Sequence, residues 1–215
     1  MSLDTFLRLT EEKQNLILHE GLKEFSHHNY QDANTDVITK ACQISKGSLY
    51  HYFGSKKQFY LYLVGHCLAV YRTVHETPLE GNDFYGLLFF SLSKKLRFVK
   101  EHSLETAFLA VAAREGSAEV AKEKNQLVRE ALEVDELLFR RTMKEAFLHL
   151  PLKAFDDTDL VFEGIVLYAA AVREDMLRGY QGAPLSLFEQ EDRIKLEMKQ
   201  KLDLMLYGIL KEDAK

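Results

Sequence analysis

The chain has 215 residues, with 33 Asp and Glu against 28 Lys and Arg, a formal net charge of −5 that argues against a general polyanion binder. Its 47% hydrophobic content is enough to bury one or two sizeable cores, while three prolines and eleven glycines are too few for a turn-rich all-β fold. No apolar run reaches the roughly 18 residues of a membrane-spanning helix, the start MSLDTFLRLTEEK lacks the basic-then-apolar pattern of an export signal, and Cys42 and Cys67 have no CxxC partner, so neither a disulfide framework nor a zinc site is expected. An all-α protein of about nine helices in a reducing cytoplasm, without a cofactor, is the expectation.

In chain order, Thr10 is placed to cap a first helix, with Glu11 and Glu12 at its positive end and Ile17, Leu18, Leu22 and Phe25 facing inward. It stops near His27 to Asn29, where Asn tolerates a left-handed backbone. Asn34 or Thr35 caps a second helix to about Cys42, with Val37, Ile38 and Ala41 inward. Ser45 caps a third, Lys46 to Phe53, and Ser55 a long fourth, Lys56 to Thr77, which Pro78 ends.

A fifth helix is predicted over Asp83 to Glu101 and a sixth over Ser103 to Ala113. Gly116 and Ser117 open a seventh that runs to Leu150, with Val120, Leu127, Ala131, Val134 and Leu138 as its apolar stripe. The eighth, Thr158 to Arg178, is apolar nearly all round; the ninth, Leu187 to Leu210, repeats Ile194, Met198, Leu202, Met205, Leu206 and Ile209 on one face. The surface turns from basic to mixed beyond Pro78, which divides the chain into residues 1–55, a connecting helix over about 56–77, and residues 78–215.

No Asp or Glu falls between Val37 and His75, where composition alone would place about six. Lys40, Lys46, Lys56, Lys57 and Arg72 lie in that window with Tyr50, His51, Tyr52 and His66, a local positive surface suited to a phosphate backbone. The block TDVITKACQISKGSLYHYFGSKK, Thr35 to Lys57, has the anatomy of a helix-turn-helix reader: a cap, a short helix, a corner, and a second short helix of small, basic and phenolic residues. Gly47 lets the backbone press close to base edges and Lys46 reaches phosphate or guanine. Ser48 either reads or caps. Tyr50, His51 and Tyr52 offer donors to phosphate, Tyr52 alternatively packing half-buried. Thr35 and Lys56 stand at helix N-termini where a phosphate can be held, and Asn34 and Lys40 are weaker candidates for such a contact.

From ILHEGLKEFSHHNY through SKGSLYHYFGSKKQFYLYLV, about residues 10 to 65, the chain resembles the N-terminal domain of the TetR family of bacterial transcriptional regulators. It departs from that pattern at Asn29 and at Gln43, where the family usually has Gly. The resemblance implies a homodimer whose third helices enter successive major grooves of a near-palindromic double-stranded operator, half-sites about one helical turn or somewhat more apart. It also implies a helical ligand and dimerisation domain over residues 78–215, in which a small-molecule effector releases a repressor.

Candidate effector contacts are Phe84, Leu88, Phe108, Met143 and Tyr168, with Arg72, Arg114 or Glu163 as polar anchors; the wealth of Phe and Leu points to a hydrophobic effector. The eighth and ninth helices are the expected dimer contact. His27, His28, His66 and His149 join no HExxH, GxSxG or phosphate loop, so catalysis is not expected. The alternative reading is a DNA-binding or architectural protein of the same fold that answers to no effector.

Overall fold

The structure, a computed structural model, describes residues 3–75, 83–178 and 190–209. The elements among them are helices: α1 (Leu3–Leu7), α2 (Glu11–His27), α3 (Thr35–Ala41), α4 (Lys46–Phe53), α5 (Lys56–His75), α6 (Phe84–Glu101), α7 (Ser103–Arg114), α8 (Ala121–Leu148), α9 (Thr158–Arg178) and α10 (Glu191–Ile209). None is long and apolar enough to cross a membrane. The side chains of Val134 and Ile209, and the expected helix ends at 76–77, 187–190 and 210 other than Gln190, lie outside the described residues.

Packing divides the chain into two compact units, residues 1–76 with 101–134 and residues 77–100 with 135–215. The first therefore contains α7 and the first half of α8 as well as the helix-turn-helix. Its core joins Ile17, Leu18, Leu22 and Phe25 of α2 to Ile38, Leu49, Phe53, Phe59, Leu63, Phe108 and Val120. Gly21 is where α2 and α5 come close: a Cβ there would lie 2.5 Å from the Phe59 ring.

The sequence reading missed α1. Its Phe6 is fully buried among Phe53, Tyr62 and Tyr52, with ring centroids 4.8, 5.6 and 6.2 Å away. Two inward assignments on α3 are corrected: Val37 is 51% exposed and Ala41 is exposed, whereas Thr35, Ile38, Thr39 and Cys42 face the core. A helix of seven residues has only two turns, too few for the spacing of apolar side chains to fix which face is buried.

In the second unit Phe84, Leu88, Leu92 and Leu96 of α6 pack with Met143, Phe147, Phe162 and Ile165 and with Ile194, Met198, Leu202 and Leu206 of α10. Leu138, expected inward, is instead exposed, and Met205 is exposed while Ile194, Met198, Leu202 and Leu206 of the same apolar repeat are buried. Leu160 and Leu167 of α9 and Leu196, Leu204 and Tyr207 of α10 are exposed too.

Candidate nucleic-acid interface

Helix α4 is defined at both ends. Ser45 Oγ accepts the Ser48 N–H at 2.9 Å, and the two hydroxyls lie 2.8 Å apart. At the other end Gly54, at φ 84°, donates its N–H to the Tyr50 carbonyl at 2.7 Å, a conformation that favours glycine. Leu49 and Phe53 are buried, which turns Lys46, Gly47 and His51 to solvent and leaves Ser48, Tyr50 and Tyr52 half-buried.

Each side chain on that surface is held in its own way. Lys46 Nζ lies 2.9 Å from Asp36 Oδ1 on α3, and that carboxylate raises the lysine's pKa. Tyr50 Oη and Thr35 Oγ1 are 3.2 Å apart, so Thr35, itself buried, spends its hydroxyl inside the motif. Ser48 is likewise engaged with the cap, and Tyr52 leans on Phe6 and Phe53. Asn34 caps α3 by accepting the Asp36 N–H at 2.9 Å. Lys56 donates to the Gln31 carbonyl at 3.1 Å and sits 5.1 Å from the centre of the Tyr30 ring; burial lowers its pKa. Lys40 is exposed.

Gly47 stands apart, because a Cβ placed on it would meet nothing but Ser45 Oγ, at an ordinary 3.5 Å. No contact among the described residues requires a glycine there, and glycine in a helix costs up to about 1 kcal/mol relative to alanine. The space it leaves opens outward.

The corner between α3 and α4 is closed by Cys42 N–H to Ile38 O (2.9 Å), Gln43 N–H to Lys40 O (3.1 Å) and Ile44 N–H to Thr39 O (3.0 Å). Gln43 adopts φ 52°, the left-handed conformation that glycine takes without penalty. The departure at Gln43 is thus absorbed as backbone strain, with the turn intact. Asn29 needs no left-handed backbone, contrary to expectation: α2 ends on an extended His28, and Asn29 Oδ1 accepts the Asp32 N–H at 2.9 Å.

Residues 17–63, which hold most of α2, all of α3 and α4 and the start of α5, match the model of the bacterial regulatory proteins, tetR family. Those residues form a TetR-family DNA-binding domain. Over 118 residues, 54% of this chain and 39% of its relative, it is 28% identical to an uncharacterized HTH-type transcriptional regulator, YuxN, of Bacillus subtilis (strain 168); the match thus spans less than half of that protein. A TetR family transcriptional regulator from Chloroflexus aurantiacus J-10-FL has the same fold (TM-score 0.67, 19% identity, 97% of this chain and 98% of that one), as has a TetR-like regulator from Rhodococcus sp. RHA1 (TM-score 0.60, 17% identity, 94% and 98%). The family is one of transcriptional regulators, not of enzymes.

The TetR-type head is bound to its own unit by contacts that sequence reasoning did not find. Tyr30 donates its N–H to Glu115 at 2.7 Å and its hydroxyl to Glu119 at 2.6 Å, and burial with that carboxylate raises its pKa. Lys57 pairs with Glu123 at 2.6 Å. Buried Lys124 donates to the carbonyls of Ala112 and Glu115 at 2.6 and 2.7 Å, tying the end of α7 to α8. Asp36 was missed although one signal was available: it is the sole acid in the block Thr35 to Lys57.

The candidate effector residues divide between the units. Phe84, Leu88 and Met143 are buried in the second core, with Tyr168 packed at its edge and donating to the Lys201 carbonyl at 3.2 Å. Phe108 belongs to the first core, 5.6 Å from Tyr60 between ring centres. Arg72 and Arg114 are exposed, and Glu163 pairs with Arg140.

Proposed function

We propose that this chain is a ligand-responsive repressor of the TetR family that binds a near-palindromic operator as a homodimer, α4 entering the major groove, in the cytoplasm. The observation that carries the reading is Gly47: a helix pays for a glycine that its own packing does not need, beside exposed Lys46 and His51, as expected where a DNA backbone or base edge must come close. Lys46 and Tyr50 are the proposed base-reading side chains together with Gly47 and Ser48; His51, Tyr52, Lys56 and Asn34 position the head on phosphate, and Thr35 acts by orienting Tyr50.

Leu160, Gly164, Leu167 and Ala171 of α9 recur at helical spacing, and a Cβ on Gly164 would meet open space. With Leu196, Leu204 and Tyr207 of α10 they form the proposed face for the second copy. The effector is proposed to be small and hydrophobic and to bind in the unit that holds Phe84, Leu88, Met143 and Tyr168. The second reading, regulation without an effector, is favoured by the close burial of Phe84, Leu88 and Met143, at 2, 8 and 3% exposure.

Selection of bound duplexes from a random pool, then affinity against salt for wild type and Lys46→Ala, tests the reading. It predicts an enriched palindrome, a steep salt dependence, and operator binding weakened in the variant by about 1–3 kcal/mol. A folded, dimeric protein that enriches no sequence overturns it.

A further inference from the structure

An acid on a surface built to meet phosphate needs a reason. Asp36 stands in the first turn of α3, with its side chain 62% exposed, one residue before the long stretch without acids begins. Its carboxylate reaches across the corner to Lys46, 2.9 Å away and itself 48% exposed, at the first turn of α4. A pair this open to water adds little to folding. Helix dipoles favour Asp36 at the head of α3 and disfavour Lys46 at the head of α4, so the pair also offsets a cation in an unfavourable place.

We propose that Asp36 is a specificity-determining residue of the reading head: paired with Lys46 in the free protein, it suppresses binding to random duplex more than binding to the operator. The proposal rests on the reading of α4 as a major-groove helix. Affinity for arbitrary DNA comes almost wholly from cations that neutralise phosphates and release counterions. Lys46 is already neutralised, and moving it to a phosphate strands a carboxylate beside a polyanion. On an operator the loss is offset, because base edges supply what phosphates do not: guanine acceptors for Lys46, and amino donors of cytosine or adenine for Asp36. Asp36 thus gives up affinity everywhere and recovers it at the right sequence.

The test compares wild type, Asp36→Asn, Lys46→Ala and the double variant on the selected operator and on a random duplex of equal length, across a salt series. Asp36→Asn is expected to tighten random-duplex binding about five- to tenfold near 0.1 M salt and to steepen its salt slope by about 0.9. Operator affinity should change less than about twofold, so the specificity ratio falls, and the gain should vanish when Lys46 is alanine. Asp36→Ser, which keeps a first-turn acceptor, serves if Asn impairs folding by thermal melt. Equal tightening on both duplexes, weakening on both, or a gain that persists without Lys46 overturns the proposal. If wild type selects an operator and the Asp36 variants leave the ratio unchanged, only the assignment of Asp36 falls. If wild type binds no duplex at any salt, the reading of α4 falls with it.

Discussion

Helices α4 and α9 each bury one face, yet the faces they leave open are chemical opposites. On α4 the outward residues are Lys46, Gly47 and His51, and on α9 they include Leu160 and Leu167, 69 and 70% exposed. Both are helices because an apolar stripe recurs at helical spacing; that stripe says how each is held, and the other side says what each meets. A polar face with a helix-weakening glycine suits a hydrated, anionic partner, whereas leucines in open water suit another apolar face.

Truncating the buried support of α4 should have the largest effect. Phe6→Ala is expected to lower the free energy of unfolding by about 3–5 kcal/mol in urea titrations, while exposed Leu7→Ala stays within about 0.5 kcal/mol. Next, Leu167→Glu should convert the dimer to monomer in sedimentation and weaken operator binding at least about a hundredfold, near 2.7 kcal/mol, with the helical spectrum kept. A variant that stays dimeric breaks the contrast between the two helices. Gly21→Ala forces a methyl against buried Phe59, and after the gain in helix propensity it should cost about 1–2 kcal/mol of stability. The smallest effect on folding sharpens the comparison most: Gly47→Ala should stabilise the fold by about 0.5–1 kcal/mol while operator affinity falls about tenfold. Lower stability with unchanged DNA binding would make Gly47 an ordinary helix residue.

Much of this was legible in the residues. Thr10 and Ser45 cap helices where the hydroxyl pattern placed them, and Ile17, Leu18, Leu22 and Phe25 are buried as their spacing required. What failed, failed for physical reasons. On α3 two turns are too few for periodicity to fix a face, so Val37 and Ala41 were turned the wrong way. Five-residue α1 has no cap signal and depends on Phe6 finding aromatic partners more than forty positions away. Tyr30 and Glu119 are 89 residues apart, a pairing with no local trace. Phe108 was grouped with Phe84 because chain order does not reveal which core a helix joins. The polar outward face of α4 was readable because it is written locally, in one short block.

The grip of Glu115, Glu119 and Glu123 on Tyr30 and Lys57 bears on how such a head could be transplanted. Cut at residue 76, it would lose those carboxylates and uncover Tyr60, whose ring packs 5.6 Å from that of Phe108. The heritable module is therefore discontinuous: a chimaera that borrows this DNA preference must carry residues 101–134 along with the helix-turn-helix, or it will inherit the letters of the motif without the scaffold that aims them.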